Sequence, residues 1–123
     1  MRVLVDTSVW IDHFHRANPH LQSLLLGDQV WTHSVVIGEM AAGQLLRRDE
    51  TLTYLQKLPR GDEIALSEGL HLLAHQRLWG RGLSWPDVQL LAAANINTLT
   101  LWTRDRTLAA AAIKLNLAHV SKE

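Results

Sequence analysis

The sequence predicts an α/β fold in which a small, mostly parallel sheet of four to five strands is wrapped by helices on both faces. Short apolar segments typical of buried strands alternate with longer segments of helical periodicity along the 123 residues. The segments between strands are long enough for the helical crossovers that parallel strands require. The length fits one domain covering 1–123, and 47% hydrophobic residues can form one core.

The predicted strands are short apolar segments bounded by polar or turn residues. They lie at 2–5, 29–32, 64–66, 98–103 and 118–120. The run at 2–5 is mostly apolar, as is typical of strands buried on both faces of a sheet. It is followed directly by a carboxylate, Asp6.

The predicted helices combine apolar residues three or four apart with recognisable start signals. They lie at 8–15, 19–26, 34–45, 51–58, 67–79, 84–97 and 105–115. Asn18 before Pro19 is a typical cap followed by proline at the first helical position. Ser34 is predicted to cap the third helix, and Ser84 precedes the sixth.

Composition narrows the function classes. There is no cysteine, which excludes disulfides and cysteine-based zinc sites. We see neither a secretory leader nor an apolar run near the ~18 residues of a membrane span, so we expect a cytoplasmic protein with no membrane partner. The formal net charge is +0, so any contact with nucleic acid must come from local groups of basic residues.

Four acids occupy unusual positions. Asp6 and Asp105 follow predicted strands, Asp87 lies in the first turn of a helix, and Glu39 lies within an apolar helix. Each has an ordinary explanation when taken alone. Asp6 and Asp105 would cap the helices after them, Asp87 would form a capping box with Ser84, and Glu39 would face solvent.

Taken together, the four acids predict a metal site. The carboxyl ends of parallel strands meet at one edge of a sheet, which is where ligands bind. Carboxylates gathered there would repel one another without a cation. Mg²⁺ or Mn²⁺ prefers oxygen ligands, and such a site suits phosphodiester hydrolysis.

Basic and aromatic residues are candidates for contact with a phosphate backbone. Arg104 and Arg106 flank Asp105 and are predicted to lie at the mouth of the acidic pocket. Other arginines are less closely tied to it: Arg47, Arg48, Arg77 and Arg81. Trp79 and Trp85 flank a Gly-Arg-Gly break and are candidates for stacking on bases or for a partner surface.

Four motifs in chain order resemble those of the PIN-domain ribonucleases, and more closely the VapC-type toxins of prokaryotic toxin–antitoxin pairs. The motifs are 5–12 with Asp6, 34–39 ending at Glu39, 84–94 with Asp87, and 101–105 ending at Asp105. The Trp85-Pro86 pair before Asp87 departs from the family pattern, as does the neutral net charge, but neither change removes an acid.

The resemblance implies a PIN-like fold and a Mg²⁺-dependent endoribonuclease, with Mn²⁺ able to substitute. It implies that Asp6, Glu39, Asp87 and Asp105 are the catalytic and metal-binding residues. The hydroxyls of Thr7, Ser8 and Thr103 would support them. It further implies an RNA substrate, a VapB-type antitoxin that blocks the site, and a homodimer.

Two other functions are compatible with the same residues. A PIN-like domain could serve as a non-catalytic binding module, which the neutral net charge favours. An aspartate-based phosphatase would use Asp6 as its nucleophile. The sequence fits that chemistry less well, because Ser8 stands where a second acid is wanted.

Overall fold

The computed structural model describes residues 1–120, so the last three residues of the predicted 1–123 domain lie outside the described part. The elements in chain order are β1 Val3–Val5, α1 Thr7–His15, α2 Pro19–Leu26, β2 Val30–Trp31, α3 Ser34–Ala42, α4 Arg48–Lys57, α5 Leu66–His75, α6 Trp85–Ile96, β3 Thr100–Trp102 and α7 Arg106–Lys114. Within 1–120, no helix has the length and apolar character needed to cross a bilayer.

The three strands form one parallel sheet in the order β2-β1-β3. Val3 of β1 is paired with Val30 on one side and with Thr100 on the other. All three residues of β1 are fully buried. Because successive side chains of a strand point to opposite faces, both faces of the sheet are covered. The predicted α/β class and parallel sheet are therefore confirmed.

The described sheet has three strands, fewer than the predicted four to five. Residues 64–66 do not form a strand, because the side-chain amide of Gln89 bonds the backbone of Ile64. Gln89 Oε1 accepts from Ile64 N at 3.0 Å and Nε2 donates to Ile64 O at 3.1 Å. At 118–120, only Ala118 bridges to Leu101 of β3.

Helix α6 lies at the centre of the packing. Its residues 88–94 are all buried, which is more than a surface helix would bury. The helix contacts α3, α5, α7 and β3. Helix α6, which carries Asp87 in its first turn, therefore packs against α3, which carries Glu39, and against α7, which Asp105 precedes.

Two helix starts show how local chemistry sets the boundaries. Asn18 Oδ1 accepts a hydrogen bond from Leu21 N at 3.0 Å, as the Asn-Pro signal predicts. The prediction that Ser34 caps α3 is wrong. The cap is the buried His33, whose Nδ1 accepts from Val35 N at 3.0 Å while Nε2 lies 3.2 Å from the carbonyl oxygen of Asp62.

His33 makes stability depend on pH. Burial lowers its pKa despite the opposing effects of the Asp62 carbonyl and the carboxylates of Glu63 and Asp62. Burial likewise lowers the pKa of His13 and His119. An unfolded histidine titrates near pH 6.5, so below that pH the unfolded chain binds more protons than the folded one. Stability therefore falls as the pH drops.

We expect the free energy of unfolding to decrease between pH 7.5 and 5.5, and to decrease less steeply in His33→Asn. Asparagine keeps a side-chain acceptor for the cap without a titrating ring. Urea unfolding at several pH values measures the slope. His15→Asn, on an exposed histidine of α1, is the control. Equal slopes in the wild type and His33→Asn would contradict this account.

Gly69 in α5 allows Trp85 to pack against that helix. A Cβ at Gly69 would lie 2.3 Å from Cη2 of Trp85, which is shorter than real contacts allow. We expect the clash in Gly69→Ala to cost about 1–3 kcal/mol of stability. The higher helix propensity of alanine offsets part of that cost. Gly38→Ala is the matched control, since nothing lies within 4 Å of its Cβ position. Thermal unfolding measures both, and equal or higher stability of Gly69→Ala would be inconsistent with this packing.

Candidate active site

Asp6 lies at the carboxyl end of the central strand. Its backbone N–H donates to the carbonyl of Trp102 at 2.9 Å, so the sheet pairing continues through the residue after β1. The residue precedes α1, but its side chain makes no capping hydrogen bond. The side chain is buried, with 7% of the residue exposed. The capping explanation for Asp6 therefore fails, and the carboxylate has a different role.

Two hydroxyl groups hold one oxygen of this carboxylate. Oδ2 of Asp6 accepts from Ser8 Oγ at 2.8 Å and from Thr103 Oγ1 at 2.7 Å. Backbone N–H groups in turn donate to these hydroxyls, from Arg104 to Ser8 Oγ and from Asp105 to Thr103 Oγ1, both at 3.0 Å. Because those amides occupy hydroxyl lone pairs, the hydroxyl protons are directed at Asp6.

The second oxygen of Asp6 is left for another ligand. Oδ1 accepts no hydrogen bond from any residue in 1–120. Asp6 keeps 7% exposure and Oδ1 is not enclosed by protein, so solvent or a ligand can reach this oxygen. The Ser8 and Thr103 contacts thus hold Oδ2 in place and leave Oδ1 available to a ligand.

Glu39 is connected to the same edge through Thr7. Thr7 Oγ1 donates to Glu39 Oε1 at 2.6 Å, and the glutamate is exposed. Thr7 is adjacent to Asp6, so this bond joins α3 to the start of α1. Of the three predicted supporting residues, Ser8 and Thr103 therefore contact Asp6, whereas Thr7 contacts Glu39.

Asp87 forms the capping box with Ser84. Ser84 N donates to Asp87 Oδ2 at 3.0 Å, and Asp87 N donates to Ser84 Oγ at 3.2 Å. In residues 1–120, no hydrogen bond or ion pair joins Asp87 to Asp6, Glu39 or Asp105. One carboxylate oxygen is used for the cap and the other is not.

Asp105 caps α7. Its Oδ1 accepts from Leu108 N at 3.0 Å, and the residue is exposed. Its backbone N–H is the group that donates to Thr103 Oγ1. Asp105 is therefore connected through its main chain to the group formed by Asp6, Ser8 and Thr103, which we call the Asp6 cluster. Its side chain stabilises the start of α7.

The oxygen-only donor set suits a hard divalent cation. Across 1–120, however, no three Asp, Glu or His side chains are close enough together to enclose a metal ion. Asp6 supplies a buried carboxylate with a free oxygen, and Asp87 and Asp105 each keep one oxygen outside their caps. The donor chemistry therefore fits the predicted cation, although the side chains are not gathered around one point.

The two predicted RNA contacts face different hollows. Arg104 Nη1 lies 3.5 Å from Asp12 Oδ2. Arg104 and Asp12 line a cavity of about 750 Å³ with His20 and Arg16. Arg106 lines a separate hollow of about 330 Å³ with Arg81. The two arginines beside Asp105 thus point away from each other.

Sequence reasoning missed several residues around the site. Asp12 neutralises Arg104, and its position within the first motif was the available signal. His20 Nε2 lies 2.8 Å from Nε2 of His119, and burial together with the charge of His20 lowers the pKa of His119. No local pattern links two residues so far apart in the chain.

Comparisons with known proteins agree with this fold. The PIN domain family matches residues 3–115. Ribonuclease VapC32 of Mycobacterium tuberculosis is 41% identical over 117 residues, covering 94% of each chain.

Two solved structures share the fold at low sequence identity. The structure of FitAB bound to an IR36 DNA fragment superposes with a TM-score of 0.62 at 19% identity, covering 97% of each chain. FitAcB from Neisseria gonorrhoeae superposes with a TM-score of 0.60 at 23% identity, covering 94% of each chain. With the family match and the 41% relative, these findings establish that the chain belongs to the PIN-domain family, as a relative of the VapC ribonucleases.

Proposed function

We propose that this protein is a Mg²⁺-dependent endoribonuclease and the toxin of a type II toxin–antitoxin pair. The observation that carries the proposal is the buried Asp6 carboxylate, with one oxygen held by Ser8 and Thr103 and the other free. The relative named as a VapC ribonuclease supports the same activity. A VapB-type antitoxin that covers the site and a homodimer belong to this proposal.

Asp6 and Asp87 would hold the cation, and Glu39 and Asp105 would complete the site or orient the attacking water. When bound, the ion lowers the pKa of a water and neutralises charge on the phosphate. Ser8 and Thr103 orient the Asp6 carboxylate, because both hydroxyls donate to the same oxygen. In-line attack on phosphorus would leave a 5′-phosphate and a 3′-hydroxyl.

One observation favours the non-catalytic module. Asp87 and Asp105 both have a structural role as caps, and this role alone would explain their presence. The Asp6 cluster favours the enzyme, because a buried carboxylate with a free oxygen serves no such role. Metal binding separates the two functions.

We expect Asp6→Asn to lower the rate of RNA cleavage at least about 100-fold, since the charge that binds the cation is lost. Its thermal stability should change little, because asparagine can still accept from both hydroxyls. A fluorogenic RNA assay and thermal unfolding measure the two effects. Asp28→Asn, on an exposed acid, is the control. Undiminished cleavage by purified Asp6→Asn protein would refute the assignment.

Thr103→Val tests the hydroxyl support. Valine has the same shape but removes the bond to Asp6 Oδ2 and the acceptor of Asp105 N. Outer-shell partners of metal ligands typically contribute 10–100-fold to affinity or activity. We expect a loss of about that size in Mn²⁺ affinity by calorimetry. Thr100→Val in β3, whose hydroxyl contacts His119, should bind Mn²⁺ as the wild type does. The same affinity in both variants would show that the hydroxyl plays no part.

Asp87→Asn separates metal binding from capping. Glu68 supplies the matched control, because its Oε1 accepts from Ala65 N at 3.1 Å in the equivalent position of α5. We expect Asp87→Asn to abolish Mn²⁺ binding and cleavage, and Glu68→Gln to affect stability only, by about 1 kcal/mol or less. If the two variants behave alike, Asp87 is only a cap and the non-catalytic module is favoured.

A further inference from the structure

We propose that four cations along α7 and the segment after α5, Arg77, Arg81, Arg106 and Lys114, bind the phosphate backbone of the RNA that the site cleaves. We call this group the basic patch. The inference rests on the proposed function and adds the surface along which the substrate would run.

The basic patch is assembled at the C-terminal end of α5. Arg81 Nε donates to the carbonyl of Arg77 at 3.0 Å, and Lys114 Nζ donates to the carbonyl of Gln76 at 2.6 Å. Partial desolvation lowers the pKa of Lys114, and the charges of Arg81 and Arg77 lower it further. The cations are therefore close enough to repel one another.

The patch begins at Arg106, directly after Asp105, and extends along α7 to its last residue, Lys114. Arg81 and Arg106 line the same hollow of about 330 Å³. A Cβ at Gly82 would lie 3.5 Å from Thr107 Cγ2, so the loop before α6 packs against the first turn of α7. That loop leads to Asp87, and that turn follows Asp105. A strand that leaves the acids at Asp105 would meet Arg106 first and then enter the hollow along α7.

Helix capping explains only part of this patch. Cations near the C-terminal carbonyls of α5 are favourable, which accounts for Lys114 and the Nε of Arg81. The guanidinium group of Arg77 makes no hydrogen bond within 1–120. Arg106 is the first residue of α7, where the helix dipole disfavours a cation. These two side chains have no ion-pair partner within 1–120 and are available to an external anion.

No carboxylate within 1–120 supplies that anion. The ion pairs in this part of the chain are Arg47–Glu50 and Arg104–Asp12, and neither includes a residue of the patch. The chain as a whole has a net charge of +0, but the four cations of the basic patch have no acidic partner within 1–120. A phosphate backbone provides the regularly spaced negative charges that such a group would bind.

An exposed aromatic residue favours RNA over an acidic protein segment. Trp79 lies between Arg77 and Arg81 in the chain and is 64% exposed. Aromatic rings interleaved with cations are typical of single-stranded nucleic acid sites, because any base can stack on them. Trp85 is less available for this role because its ring packs against Gly69.

The test measures binding of a single-stranded RNA oligonucleotide by fluorescence anisotropy in the Asp6→Asn background, where cleavage does not interfere. We expect Arg77→Gln with Arg81→Gln to weaken binding about tenfold and to reduce the slope of log affinity against log salt by about 1.4, or about 0.7 per lost contact. Arg77→Gln alone removes no hydrogen bond of the fold, and it should reduce the slope by about half as much. Lys57→Gln with Arg60→Gln, on two exposed cations away from the patch, removes the same charge and should leave the slope unchanged.

The outcomes separate this inference from the proposed function. If the wild type cleaves RNA and the patch variants bind RNA with unchanged affinity and salt slope, the patch inference is overturned and the function stands. If the wild type does not cleave RNA but patch variants still lose RNA binding, the function is overturned and the patch stands. Binding of polyglutamate as tight as that of RNA, lost in the same variants, would show that the patch recognises acidic protein instead. A wild type that neither cleaves nor binds RNA overturns both.

Discussion

The structure of the site depends on one constraint: a carboxylate has to be held in place at the end of a buried central strand. Asp6 is only 7% exposed there, and its side chain does not cap the next helix. Hydroxyls from two elements, Ser8 in α1 and Thr103 after β3, bind one of its oxygens. Backbone amides after β3 bind the hydroxyls in turn, so the position of the acid is linked to the pairing of β1 with β3.

Local patterns were sufficient for much of the fold. The apolar run before Asp6 and the Asn18-Pro19 signal indicated elements that the structure contains. The errors have tertiary causes. Gln89, on a distant helix, bonds the backbone of Ile64 where a strand was predicted. His33 replaces Ser34 as a cap because its ring is buried and also meets the Asp62 carbonyl. Neither contact has a signal within a short window.

As with the fold, part of the candidate site was predictable from the sequence. Because strands β1 and β3 are adjacent and parallel, Asp6 and Thr103 had to meet at one edge of the sheet. Adjacent residues of a helix point in different directions, but the sequence did not indicate that Thr7 contacts Glu39 while Ser8 contacts Asp6. The capping roles of Asp87 and Asp105 were weighed as alternatives to metal binding. The structure shows both residues as caps that use one carboxylate oxygen each, and metal binding by the other oxygen stays a prediction.

Net neutrality does not argue against an anionic substrate here. A pocket of acids repels a polyanion unless cations nearby offset that field, and the average over the chain does not report this balance. The two arginines beside Asp105 show the difference. Arg104 pairs with Asp12 in a cavity that Arg16 and His20 also line, whereas Arg106 opens onto a hollow shared with Arg81 and without an acid among its lining residues. The net charge of the chain therefore does not describe the balance of charge on either side of Asp105.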